Sequence, residues 1–389
     1  MNWMLPDAER QPLLEMRRDL HKHPELSWQE YRTAGKVEEA LRALGLEPVT
    51  GVAKTGLYAD IGTEGPMVVL RADMDALPVS EMTDVPFKSE VDGQMHACGH
   101  DAHTSCLVAV ARRLVADPPA HGRVRLLFQP AEEGAGGAEV MIEEGVLRDP
   151  EPLAIYGAHV WSQLPTGMVG VVPGTMMGSV DRLEIEVHGR GGHGAIPHNT
   201  RDAIVAASQL VVSLQSIVSR RIDPLQSVVV SIGQFNAGSA FNVISPKASL
   251  VGTVRTLDKE VWQKIPDLLE EVIHNTVAAY GCTAEVKLTR QQMPLVNHPG
   301  EVALLQEVAA EWVSPEKIVP FRTLGGEDFA SYLEEIPGCF FFVGCGGKTD
   351  SAEEQPPHHN PHFWLDEDGF DLSVRLLEGC ARRHLERSV

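Results

Sequence analysis

Four short runs of this chain are apolar almost from end to end, and each leads directly into side chains able to bind a metal. Residues 66–71 run into Asp73-Met74-Asp75, and residues 123–129 into Pro130-Ala131-Glu132-Glu133-Gly134. Residues 153–158 stop at His159, and residues 339–344 precede a polar loop ending Pro357-His358-His359-Asn360-Pro361-His362. A continuous apolar run, as opposed to an alternating one, marks a strand covered on both faces, as in a parallel sheet. In open α/β sheets, sites form outside the carboxyl ends of such strands. A single Asp or His after a strand is ordinarily a turn residue or a helix cap. Several such endings in one chain predict an α/β domain, with a mixed, mainly parallel sheet and helices on both faces, whose strand ends converge on one site.

The stretch His96-Ala97-Cys98-Gly99-His100-Asp101-Ala102-His103 strengthens that prediction. A thiolate and an imidazole two residues apart can bind one ion or lie between two. Together with the strand-end carboxylates and imidazoles they suit a pair of divalent ions, with Cys98 as candidate bridge. Such a pair activates water and polarises a carbonyl oxygen. It needs a base to carry the proton to the leaving nitrogen, and adjacent Glu132 and Glu133 can divide metal binding from proton transfer. No Gly-x-Ser-x-Gly elbow, P-loop or dinucleotide fingerprint occurs, and the glycine-rich residues 189–194 lack the Lys-Ser/Thr ending of a phosphate loop.

At 389 residues the chain exceeds one ordinary core, so two domains are expected. From about residue 180 the pattern becomes strand, helix, strand, strand, helix, strand, the ferredoxin-like βαββαβ order of an α+β domain. That places an inserted domain at 179–293 within a metal-dependent catalytic domain formed by 1–178 and 294–389. The net charge of -21 argues against nucleic acid or an anionic membrane as partner. No run approaches the ~20 apolar residues of a membrane span, and the opening residues lack the pattern of a signal peptide. Six scattered cysteines read as reduced thiols, so a cytoplasmic protein is expected. Arg17, Arg18, His21 and His23 read as a solvated helix face.

The motifs His96-Ala97-Cys98-Gly99-His100-Asp101, Arg71-Ala72-Asp73-Met74-Asp75-Ala76-Leu77-Pro78, Gln129-Pro130-Ala131-Glu132-Glu133-Gly134 and Gly191-Gly192-His193-Gly194-Ala195-Ile196-Pro197-His198 follow one another in order. In this the chain resembles the hippurate hydrolase family of metal-dependent amidohydrolases, within the aminoacylase and carboxypeptidase superfamily. The likeness extends from Leu20-His21-Lys22-His23-Pro24-Glu25-Leu26 to His359-Asn360-Pro361. It implies hydrolysis of the amide bond of N-acyl amino acids or small N-blocked peptides. A dedicated N-acetyl-diaminopimelate or aryl-acyl conjugate hydrolase is the alternative, and a metal-binding scaffold without turnover is the rival of a different class. The resemblance implies two divalent ions (zinc, manganese, cobalt or nickel) on Cys98, His100, Glu133, His159 and a fifth ligand, for which a His-x-Pro pattern selects His359 over His358 and His362. It implies Glu132 as general base and acid, Asp75 as support of the ligands, and His193, in cis or from a partner subunit, as oxyanion donor. Asn242 and Arg255 match positions that contact the substrate carboxylate. The inserted domain is implied to serve as dimerisation or lid domain in a homodimer or homotetramer, and His103 is expected to support the site or pack its helix.

Overall fold

The computed structural model describes residues 3–347 and 354–388. The chain divides into two compact units. The larger comprises Met1–Met176, Val296–Arg322 and Asp328–Val389, and the smaller comprises Met177–Leu295 and Thr323–Glu327.

The larger unit is built on an eight-stranded sheet. Its strands are β1 (Val49–Val52), β2 (Gly56–Gly62), β3 (Met67–Asp73), β4 (Arg123–Gln129), β5 (Ala154–Trp161), β6 (Val169–Gly170), β7 (Ile318–Val319) and β8 (Gly338–Gly344). The order is β1-β2-β4-β3-β5-β8-β6-β7. The four central strands, β4, β3, β5 and β8, are parallel to one another. Every residue of β3 and β8 is buried, as their largely apolar sequences lead one to expect.

Seven helices accompany the sheet: α1 (Asp7–Lys22), α2 (Tyr31–Ala43), α3 (His100–Ala116), α4 (Gly137–Glu143), α5 (Pro299–Ala309), α6 (Phe329–Glu335) and α7 (Phe370–Arg387). One face of the sheet, with Val68, Leu70, Leu126 and Tyr156, joins the core made by Leu107 and Val110 of α3 and Leu376 of α7. The other face carries Arg71, Gly157, His159 and Phe340 toward α6, where Phe329 stacks on Phe340 at 5.1 Å. Gly157 is glycine because a Cβ there would lie 2.8 Å from the Phe329 ring.

Two local readings are corrected. The strand expected to stop at residue 158 continues to Trp161, because its parallel pairing with β8 runs on to Gly344↔Trp161. His159 therefore projects from within a strand, opposite Phe342. Arg17 and His21 are not solvated; both are 2% exposed. α1 packs on α3, and the buried Asp101 in the first turn of α3 forms an ion pair with Arg17, Nε at 3.1 Å, and a hydrogen bond with His21 Nδ1 at 2.7 Å. Arg18 pairs instead with Glu367, and His23 stays partly exposed.

The smaller unit has a four-stranded antiparallel sheet in the order 228–237, 247–256, 180–188, 283–292. The helices Ala203–Ser216 and Lys259–Ala278 bury Leu210, Leu214, Ile265 and Ile273 against Leu183, Ile185, Val187 and Leu250. The stretch Ala203–Arg221 is apolar and long enough to cross a membrane by composition alone. Its buried Ala206, Leu210, Leu214 and Ile217 face this core, so packing accounts for that character. Thr323–Glu327 joins this unit, through a backbone hydrogen bond from Gly178 N to Gly325 O, although its sequence position suggests the larger one.

Candidate metal centre

The centre assembles at the carboxyl ends of β3, β4 and β5 and the amino end of α3. Between Cys98 and His100 the chain must turn sharply, and Gly99 takes φ 93°. A Cβ there would also sit 2.5 Å from Val160 Cγ2, so glycine satisfies both the backbone and the packing. The turn starts α3 with His100 as its first residue.

After β4 the chain makes a second tight turn, with Ala131 at φ 55°. Asp75, fully buried, fixes this turn. Its Oδ1 accepts from the Glu132 backbone N–H and its Oδ2 from that of Glu133, both at 3.1 Å. The same carboxylate accepts from Ser27 Oγ at 2.7 Å and from His100 Nδ1 at 3.3 Å. One side chain thus orients both glutamates and an imidazole. As a result His100 Nε2 stands 4.0 Å from an oxygen of Glu132 and 4.0 Å from one of Glu133. On the other side, Cys98 Sγ lies 3.5 Å from His159 Nε2 and 3.7 Å from His358 Nδ1. His359 Nε2 lies 3.3 Å from Glu133 Oε1.

Hydrogen bonds decide which imidazoles have a free lone pair. His159 Nδ1 faces the Val160 carbonyl at 2.7 Å, so it donates and Nε2 points its lone pair toward Cys98. His100 donates from Nδ1 to Asp75, which leaves Nε2 to face the glutamates; that atom is buried with no hydrogen-bond partner. His103 has nothing to offer. Its Nδ1 donates to Asp73 at 2.6 Å and its Nε2 accepts from Val160 N–H at 2.9 Å. His358 is also spent, because its Nε2 accepts from Ser162 N–H at 3.3 Å and its proton must therefore sit on Nδ1. His359 keeps its ring nitrogens available beside Glu133. The donors left over are Cys98, His100, Glu133, His159 and His359, with Glu132 next to them. Both His100 Nε2 and Glu133 Oε1 are buried polar atoms lacking a hydrogen-bond partner. Ligand atoms held at about 2.0–2.3 Å from one ion lie about 3–4 Å apart, and the spacings of 3.3, 3.5 and 4.0 Å fall in that range. The residues fit a pair of ions.

Electrostatics agree. Burial and the nearby carboxylates of Glu133 and Glu132 push the Cys98 thiol well above its ordinary range, so only a cation makes it a thiolate. Burial and neighbouring His103 hold His159 neutral, well below its usual range. Burial would also lower His100, but Asp73 and the hydrogen bond to Asp75 outweigh it and raise the ring to about 10. Beneath these residues Arg71 donates to Asp73 at 2.6 Å, to Asp328 at 3.0 Å and to Gln129 at 2.8 Å. The sequence gives one sign of this brace, an arginine inside an otherwise apolar strand. His96 and His103, the remaining histidines of the opening motif, are buried beside the centre without facing it as ligands.

The other three predicted residues lie in the smaller unit. His193 is exposed on a two-stranded antiparallel ribbon, where it pairs with Val243. Its Nδ1 accepts from Ala195 N–H at 3.1 Å, which leaves Nε2–H free to donate. Asn242 adjoins the same ribbon, where Gly194 N–H donates to its backbone carbonyl at 2.8 Å. Arg255 is not near them. It sits at the far end of the strand Lys247–Thr256, with Nε donating to Thr253 Oγ1 at 3.0 Å. Eight residues of strand separate it from Lys247, about 26 Å at 3.3 Å per residue.

The profile of peptidase family M20/M25/M40 matches residues 69–383. The chain belongs to that family. It is similar to N-acetylcysteine deacetylase of Bacillus subtilis, with 44% identity over 95% of this chain and 96% of the relative. It is also similar to an IAA-amino acid hydrolase of Arabidopsis thaliana, at 38% identity over 96% of this chain and 86% of the relative. Among solved structures, a dinuclear metal-binding peptidase of the M20 family from Bacillus subtilis superposes with a TM-score of 0.85, at 38% identity over 98% of this chain and 99% of the other. This M20-family chain is a hydrolase of amide bonds.

Proposed function

We propose that the protein hydrolyses the amide bond of N-acyl amino acids or small N-blocked peptides, releasing a carboxylic acid and a free amino acid. One observation carries the reading: Glu132 and Glu133 are anchored through their backbones by the same Asp75 carboxylate, with His100 Nε2 4.0 Å from each. Two carboxylates so close together can hold different roles. Glu133, between His100 and His359, is assigned as ligand, together with Cys98, His100, His159 and His359. Two divalent ions bound there (zinc, manganese, cobalt or nickel) would supply Lewis-acid activation of water and of the acyl carbonyl. Glu132 takes the proton from the attacking water and returns it to the leaving nitrogen. Asp75 keeps His100 in the tautomer that presents Nε2. The exposed Nε2–H of His193 suits it to donate to the oxyanion that develops on the carbonyl.

N-acetylcysteine and IAA-amino acids, the substrates in the relatives' names, are both N-acyl amino acids, which supports this substrate class. The exposed apolar side chains Val205 and Val212 on the helix Ala203–Ser216, with Phe235 on the neighbouring edge strand, favour a homodimer or homotetramer. In such an assembly Asn242 and Arg255 of one chain would serve different centres. The free cysteines suit a reducing, cytoplasmic setting.

The test is Glu132→Gln. Turnover of an N-acyl amino acid is expected to fall about 10²–10⁴-fold while metal content stays at the wild-type level. Unchanged turnover in the metal-loaded variant overturns the assignment.

A further inference from the structure

The polar loop supplies two adjacent histidines, and only His359 has the chemistry of a ligand. His358 is half-buried and fixed on several sides. Its ring lies 4.4 Å from Trp161, 4.8 Å from Phe363 and 5.2 Å from His159. Ser162 N–H occupies Nε2, so the ring presents Nδ1–H, and that atom is the one 3.7 Å from Cys98 Sγ. His159, by contrast, turns a bare nitrogen to the same sulfur at 3.5 Å. One sulfur thus faces an imidazole able to share a metal with it and another able only to donate to it.

We propose that His358 is a positioning residue whose Nδ1–H donates a hydrogen bond to the Cys98 sulfur, withdrawing charge from it when it would hold metal as a thiolate. This rests on the reading of Cys98 as a ligand. A hydrogen bond to a metal-bound thiolate stabilises its lone pairs and tunes the electronics of the centre, as outer groups around a cysteine sulfur do. It also limits how tightly the sulfur holds the ions and orients its remaining lone pairs. The carrier of the effect is the backbone of Ser162, just past the end of β5. By taking Nε2 it dictates the tautomer of His358.

The experiment uses the full-length protein loaded with cobalt(II), whose thiolate-to-metal charge-transfer absorption reports electron density on the sulfur. His358→Phe keeps the ring packing and removes the donor. The band is expected to persist and move to lower energy, with cobalt content equal to wild type. His358→Asn places an amide N–H near the former Nδ1 position, and the band is expected to return toward the wild-type energy. His358→Leu provides a second donor-free variant should the phenylalanine not fold. A band that stays in place in the donor-free variants overturns the proposal, and so does loss of one cobalt ion, which would make His358 a ligand. Wild-type protein that binds cobalt with no thiolate band overturns the earlier reading of Cys98, separately from these comparisons.

Discussion

Replacing Asp75 by asparagine tests the organisation of the centre more sharply than removing a ligand does. The carboxylate is buried and accepts four hydrogen bonds: Oδ1 from His100 Nδ1 at 3.3 Å and Glu132 N at 3.1 Å, Oδ2 from Ser27 Oγ at 2.7 Å and Glu133 N at 3.1 Å. Asparagine has the same shape but only one acceptor oxygen. If its NH₂ turns toward Ser27, the hydroxyl can reverse and accept, but the Glu133 N–H then meets a donor. If it turns toward His100, both the Glu132 N–H and the imidazole lose their acceptor. The first orientation costs less, and it strands one buried backbone N–H at about 1–3 kcal/mol. Loss of the carboxylate behind a ligating histidine typically weakens metal binding by about 10–100-fold. Asp75→Asn is therefore expected to lose about 1–3 kcal/mol in urea unfolding of the metal-free protein. It is expected also to release metal to a chromogenic chelator at about 10–100-fold lower chelator strength. Wild-type metal affinity in a folded Asp75→Asn protein would refute the idea that this one carboxylate sets the ligand geometry.

Three further outcomes are expected. Gly137→Ala would bring a Cβ 1.8 Å from the Pro130 carbonyl oxygen, so the Glu132–Glu133 turn must move; about 1–3 kcal/mol of stability should be lost together with metal affinity, and retention of both would count against a rigid turn. Asp181, desolvated by burial, has its pKa raised from 3.8 to about 6. The folded state thus holds this proton more tightly than the unfolded state, and the associated stability is present at low pH and lost as pH rises through about 6. Asp181→Asn should consequently gain up to about 3 kcal/mol near pH 8 and nothing near pH 3; equal gains at both pH values in urea unfolding would contradict this. Loading with zinc should release protons from Cys98 and His100, so calorimetric binding enthalpies should vary with the ionisation enthalpy of the buffer; buffer-independent enthalpies would argue against the protonation of these two ligands.

The architecture was legible where burial leaves a periodic trace. Runs such as 67–70 and 338–344 are apolar because both faces are covered, and the first of these strands does end on Asp73. Alternation at Leu183, Ile185 and Val187 likewise announced a strand with one buried face. Charge on a helix carries no such trace. Arg17 and His21 look like a solvent face until Asp101, eighty residues away for His21, is seen beneath them. For His358 and His359 the family pattern favours the second, but the contact of His358 Nε2 with the Ser162 backbone N–H has no trace in sequence. Nor does sequence show that Arg255 ends the strand Lys247–Thr256 while the Asn242 carbonyl accepts from Gly194 N–H.

Charge is arranged around the centre in layers, and that arrangement indicates where ions are needed. In the lowest layer Asp101 is met by Arg17 at 3.1 Å and by His21 at 2.7 Å, and the His21 ring also reaches Glu81, so it donates from both nitrogens and is held as imidazolium. Burial alone would lower the His21 pKa, but Asp101 raises it. In the next layer Asp73 is met by Arg71 at 2.6 Å. Both layers balance with permanent or nearly permanent cations from the protein. The uppermost layer differs in kind: Asp75 and Glu133 meet the imidazoles of His100 and His359, and Cys98 meets two more. Imidazoles and thiols can exchange protons for metal, whereas guanidinium groups cannot. Guanidinium in the lower layers stiffens the floor without competing for the ligands. The Cys98 thiol and the His100 ring in the upper layer hold exchangeable protons. The same layer then turns into a donor set when the protons leave, so the boundary between Arg71–Asp73 and His100–Asp75 separates scaffold from chemistry.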